Sequence, residues 1–219
     1  MSREGARPRA EKAEPSRKQL MAAAIDCFAR LGYQGTTIDR IARAAGVTKG
    51  AVYYHFRDKE ELLFEAVKER VGEFERHVLK DIVPGHDALA NLRQVVDACF
   101  FHATVSNHRR FIITLMVEAL DTNPRLSSAF RSILRRMRAF LASVVREGQE
   151  NGSLRPGVAP EAAAAVIAAG IMGAEIQHYQ DPDEIDLRRV LDAFIEQLAV
   201  WLAPDQAGEV AASGGTRQW

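Results

Sequence analysis

Thr37, Thr48, Lys49, Gly50, Tyr53, Tyr54, His55 and Lys59 gather hydroxyls, a ring nitrogen, two ammonium groups and a glycine into one short stretch. Hydroxyls, imidazoles and ammonium groups suit phosphate oxygens and base edges. Spacing adds to composition. Lys49 and Tyr53 are four apart, as are Gly50 and Tyr54, so on a helix each pair shares a face. Gly50 falls in a first helical turn, where glycine costs about 1 kcal/mol against alanine. It makes sense if something must approach the backbone closely. A helix start there also offers unpaired N–H groups and a positive dipole end. Taken singly, each residue has a plainer use: a tyrosine half-buried with a wet hydroxyl, a histidine capping a turn. The set on one exposed face favours a polyanion.

The elements that would carry these residues are short. Thr37 caps a two-turn helix with Ile38, Ile41, Ala42 and Ala45 on one side, and Gly46 ends it by permitting positive φ. Thr48 caps a second short helix, Lys49 to about Phe56. Four rings in a row, Tyr53 to Phe56, cannot share one helical face. Val47, Val52 and Phe56 are therefore assigned inward and the rest outward. Two short helices about a glycine turn make a helix-turn-helix, here 37–56. Before it, Ser16 and Gln19 form a capping box for a helix carrying Leu20, Ala24, Phe28 and Leu31, stopped at Gly32. After it, Asp58 and Glu61 cap a longer helix reaching about Leu79.

Every later segment is helical in pattern, no strand alternation is seen, and the fold class is all-α, about nine helices in total. The expected domains are a disordered basic arm (1–15), a first helical domain carrying the helix-turn-helix (16–76), a larger helical domain (77–203) and a disordered tail (204–219). The 219 residues carry zero net charge, but unevenly: 1–60 hold 12 Lys+Arg against 7 Asp+Glu, leaving 17 against 22. A basic first quarter on an acidic remainder suits a module facing nucleic acid. Cys27 and Cys99 lie in apolar patterns and form neither a disulfide framework nor a metal site, which points to a reducing cytoplasm. No membrane span is expected: the apolar run 162–174 is too short. No metal or cofactor motif and no catalytic residues are visible, which argues against an enzyme.

The stretch TTIDRIARAAGVTKGAVYYHFRDKEELL, with AIDCFARLGYQGTT before it, closely resembles the TetR family of bacterial transcriptional regulators over about 16–71. The resemblance implies a homodimer, mostly a repressor, binding a palindromic double-stranded operator through a three-helix DNA-binding domain (16–76) and responding to a small-molecule effector through a ligand-binding and dimerisation domain (77–203). It implies DNA contacts at Thr37, Thr48, Lys49, Gly50, Tyr53, Tyr54, His55 and Lys59. Among these, Thr48, Lys49 and Gly50 are the base-edge readers, and the tyrosines, His55 and Lys59 hold phosphates.

Beyond residue 80 the ligand cannot be carried across. A last helix apolar on two sides needs a second partner, so a dimer contact is expected at Ile167, Ile171, Ala174, Leu191, Phe194, Leu198 and Trp201. Gly170 and Gly173 would let the twin backbone approach; a thick protomer core is the alternative. Candidate pocket residues are His102, Phe111, Met116, Glu118, Met137, Phe140 and His178, each with a structural alternative in the core or in an ion pair. A cavity above about 300 Å³ would favour a ligand sensor, and a filled core a constitutive DNA binder.

Overall fold

The computed structural model describes residues 17–82, 87–105 and 108–204. The arm 1–15, Ser16 and the tail from 205 lie outside the described residues. Those residues form nine α-helices and no strand: α1 (Arg17–Gly35), α2 (Ile38–Ala44), α3 (Lys49–His55), α4 (Lys59–Asp81), α5 (Ala88–Thr104), α6 (His108–Thr122), α7 (Pro124–Glu150), α8 (Pro160–Gln180) and α9 (Leu187–Leu202). No helix among them is long and apolar enough to cross a membrane. The chain divides into two compact units, Met1–Lys68 and Glu69–Trp219, with the division inside α4. The boundary read from the sequence, at 76, falls further along the same helix.

In the first unit α1 packs on α2 and α2 on α3. Leu20, Met21, Ala24, Phe28, Ile41, Val52, Phe56, Leu62, Leu63 and Ala66 are almost wholly buried. Val47 is half-buried. Gly32 does not end α1 cleanly. Its φ of 66° breaks the helical run, and a last turn continues to Gly35. The carbonyl released by that break is taken up by the buried Thr36 hydroxyl at 2.7 Å. Gly46 has φ 68° and makes the turn between α2 and α3, a region open to glycine without steric cost.

Caps explain the helix starts. Thr37 and Thr48 accept from the amides of Arg40 and Ala51, each at 3.2 Å. At the head of α4, Asp58 accepts from the Glu61 amide at 2.7 Å, while the Glu61 carboxylate accepts from the Arg57 amide at 2.6 Å. Asn123 caps α7, with Pro124 in the first turn, where its missing N–H has no intrahelical partner to lose. Asp87 and Asp186 cap α5 and α9.

The second unit has one extended core drawn from α4, α5, α7, α8 and α9. Here the seven expected dimer residues fall on the inner side. Ile167, Ile171, Ala174, Leu191 and Leu198 are buried in the protomer's own core, and Phe194 and Trp201 pack against it. A Cβ on Gly170 would overlap the Phe194 ring, so that glycine admits a side chain of its own protomer rather than a twin backbone. The outward stripe is made by other residues: Ala162, Ala165, Val166, Ala169 and Ile176 on α8, and Val190, Ala193 and Val200 on α9. With α8 apolar nearly all round, periodicity could not say which side faced in.

Candidate DNA-reading face and ligand cavity

In the first unit, α3 buries Val52 and turns most other side chains outward. Tyr53 is 48% exposed and Tyr54 72%, well above the ordinary burial of tyrosine. Thr37, Thr48, Lys49 and Gly50 are exposed as well, and His55 is half-buried with its ring edge-on to Tyr54 at 5.0 Å. Thr37 and Thr48 spend their oxygens on cap bonds but keep an O–H to donate. A Cβ on Gly50 would meet only Thr48 Oγ1, at an ordinary 3.8 Å, and the backbone there is not left-handed. Nothing within the described residues calls for glycine at that position.

The two lysines differ. Lys49 Nζ donates to Asp39 Oδ2 at 3.1 Å on the open surface, and this carboxylate holds the ammonium above its usual range. Lys59 Nζ instead donates to the carbonyls of Tyr33 and Thr36, at 2.9 and 3.0 Å, and lies 4.0 Å from the Tyr33 ring centre. It ties the start of α4 to the loop that presents Thr37. Arg40 donates to the Gly35 carbonyl and closes the same loop.

In the second unit a cavity of about 230 Å³ opens among α4, α5, α6 and α7; measured out into open solvent, the hollow is about 910 Å³. Its walls are mostly apolar: Val71, Phe74, Val78, Ile112, Ile133, Met137 and Phe140. Arg70, Arg109, Arg136, Glu75 and His102 supply the polar groups. Arg70 pairs with Glu73 at 2.5 Å, and Arg136 with Glu75 at 3.1 Å. His102 Nε2 lies 2.9 Å from His77 Nδ1, and its ring stands edge-on to Phe74 at 5.5 Å.

Behind the cavity runs a buried ion pair. Arg109 donates from Nε and Nη2 to the two Glu175 oxygens, at 2.7 and 2.6 Å, and its guanidinium sits 5.1 Å from the Phe74 ring centre. Burial works against the arginine charge, but the Glu175 carboxylate outweighs it and holds Arg109 protonated beyond its ordinary range. Burial, then the Glu175 charge, pushes the Tyr179 phenol upward. Burial pushes the Cys99 thiol up to about 12. A bidentate pair of this kind is stable in a dry interior only because each partner neutralises the other.

Of the sequence candidates, His102, Met137 and Phe140 line the cavity. Phe111 is fully buried core, and Met116 and Glu118 are half-buried elsewhere on α6. His178 Nδ1 donates to the Ile185 carbonyl at 2.8 Å. Arg109, Phe74 and Ile112 were not singled out. Glu175 is a charge on a largely apolar helix, and nothing local in the sequence points to Arg109, 66 positions away, as its partner.

The family described as bacterial regulatory proteins, tetR family, matches residues 20–66, and the BetI-type transcriptional repressor C-terminal family matches 88–200. The fatty acid metabolism regulator protein of Bacillus subtilis is 28% identical over 144 residues, covering 66% of this chain and 73% of its own. The HTH-type transcriptional regulator SrpR of Pseudomonas putida is 30% identical over 150 residues, 68% of each chain. The crystal structure of the regulator FadR from Bacillus subtilis, in complex with stearoyl-CoA, superposes with a TM-score of 0.73 at 25% identity, covering 83% of this chain and 96% of that one. A helix-turn-helix that leaves its second helix bare, joined to a helical unit matched by a repressor C-terminal family, places this chain in the TetR family of bacterial transcriptional regulators.

Proposed function

We propose that the chain is a homodimeric repressor that binds a palindromic operator through α3 and is released when a slim apolar ligand with an anionic head enters the cavity. For DNA, the carrying observation is the bare face of α3, with Tyr53 and Tyr54 exposed beside a glycine that no internal contact requires. Lys49 would exchange Asp39 for an acceptor on the duplex. Lys59 would act by fixing the loop under Thr37. For the dimer, support comes from the outward apolar stripe of α8 and α9, where Val200 is 76% exposed. Two copies related by a twofold axis would bury it and set the recognition helices about 34–36 Å apart, one turn of B-DNA.

The ligand reading rests on the cavity. At about 230 Å³ it falls short of the roughly 300 Å³ expected of a ligand sensor, yet the core is not filled, and the hollow extends to about 910 Å³ into solvent, which leaves a large headgroup outside. A hydrocarbon chain suits narrow aromatic and aliphatic walls, and Arg70 and Arg136 would hold an anionic headgroup by exchanging Glu73 and Glu75 for it. A long-chain acyl-CoA meets both demands, and the Bacillus subtilis relative was crystallised with one. The link to DNA would be α4: Leu62, Leu63 and Ala66 are core in the first unit, and Phe74 and Val78 line the cavity in the second. A ligand that binds better to one orientation of α4 shifts the population toward it.

The test is a DNA selection from random duplexes followed by titration with acyl-CoAs. The reading expects a palindromic site, steep salt dependence and release by acyl-CoA. No sequence preference rejects the DNA assignment. Operator binding untouched by every acyl-CoA rejects the ligand assignment.

A further inference from the structure

The cavity has a second chamber behind it. A pocket of about 30 Å³ shares Phe74, Val78, Arg109, Met137 and Phe140 with the main cavity and is closed beyond them by Val95, Cys99, Leu141, Ala168, Ile171 and Met172. The five shared residues are thus a partition. Two of its members, Met137 and Phe140, are half-buried side chains of α7, and methionine is unbranched and readily changes rotamer. The closing residues carry no charge. Arg109, the ionic group in the wall, is already neutralised by Glu175. Cys99 is a buried thiol that stays protonated at neutral pH. A polar ligand group entering this chamber would lose its water and find no free partner there, so its occupant is apolar.

We propose that this inner pocket receives the methyl end of the ligand's hydrocarbon chain, and that Ala168 and Met172 on α8 set the length of chain accepted. The inference rests on the acyl-ligand reading above and adds a length ruler to it. A water-sized group needs about 10–15 Å³ of such space, so the pocket admits roughly two, or two to three methylenes. Each methylene taken out of water contributes about a fourfold gain in affinity. Affinity rises by that factor per carbon until the chain end meets Ala168 and Cys99, then falls.

The experiment uses the full chain and saturated straight-chain acyl-CoAs from about eight to about eighteen carbons, with dissociation constants measured for each. Ala168→Val adds two methyl groups to the wall of the inner pocket, and Met172→Ala removes most of a side chain from it. The expected optimum lies about two carbons shorter in Ala168→Val and longer in Met172→Ala. Chains too short to reach the partition should bind both variants within about twofold of wild type, which also reports that the variants fold. An optimum at the same length in all three proteins overturns the ruler while leaving the acyl-ligand reading intact. Wild type that binds no chain of any length overturns both.

Discussion

Gly50→Ala separates the two uses a glycine can have. Gly50 occupies the second position of α3, with a backbone that alanine adopts freely, and its new Cβ would meet only Thr48 Oγ1 at 3.8 Å. Folding should therefore gain about 0.5–1 kcal/mol, because alanine loses less chain entropy in a helix. For a chain of this size that raises Tm by about 1–4 °C. Operator binding should move the other way. A methyl group pressed against a closely docked phosphate or base edge costs about 1–3 kcal/mol, as overpacking does in a core. That is roughly 5-fold to 150-fold in Kd. Fluorescence anisotropy with the selected operator, run over a range of salt, measures the loss. Because no charge changes, the slope of log Kd against log salt should stay as in wild type, whereas Lys49→Ala should reduce it by about one. A higher Tm with operator affinity unchanged within about twofold would refute the idea that DNA lies against this backbone. A lower Tm would show that the glycine has an internal role.

Other perturbations probe the second unit and the caps. Glu175→Ala leaves the Arg109 charge buried without its bidentate partner and should lower stability by about 3–5 kcal/mol, while Arg109→Met with Glu175→Leu together should be far milder; denaturant titration distinguishes them. Burial raises the pKa of both thiols, to about 12 for Cys99, so iodoacetamide at neutral pH should label neither until the chain is unfolded. The Asp58 carboxyl is held below its usual range, first by the Glu61 amide and then by Arg57. Its contribution is therefore present above the unfolded carboxyl pKa and lost as pH falls through the folded one. Asp58→Asn keeps a capping oxygen without the charge, so the stability gap between wild type and variant should close on acidification. The gap at pH 7 is on the order of a few tenths of a kcal/mol, because the site is exposed to solvent.

Legibility in the sequence followed the range of the interactions. Helix starts were readable because Thr37, Thr48 and Asp58 cap groups only three residues ahead. The turn at Gly46 was readable because positive φ is a demand on one residue. The inward placing of Val52 and Phe56 followed from spacing in a helix with two distinct faces. Other features depend on distant pairings. The Arg109–Glu175 pair joins α6 to α8, and the cavity takes walls from four helices, so no single segment announces either. Lys59 shows a subtler limit. Its position fits a phosphate contact, yet its ammonium reaches carbonyls of a loop 23 and 26 residues earlier.

α8 carries the strongest lesson, because its two faces are chemically alike. Ile167, Ile171 and Ala174 point into the core, while Val166, Ala169 and Ile176 point out, and all are apolar. Composition indicates that such a helix has two partners but not which residues meet which. Size does not separate them either: the inner face buries Ala163, Ala164, Ala168 and Ala174 beside its two isoleucines, and the outer face mixes alanines with Val166 and Ile176. The inner pocket borders that same inner face through Ala168, Ile171 and Met172. On the proposed reading, α8 would offer its inward side to the chain of a ligand and its outward side to a second subunit. On that reading a ligand pressing on Ala168 would also press toward the face offered to the second copy.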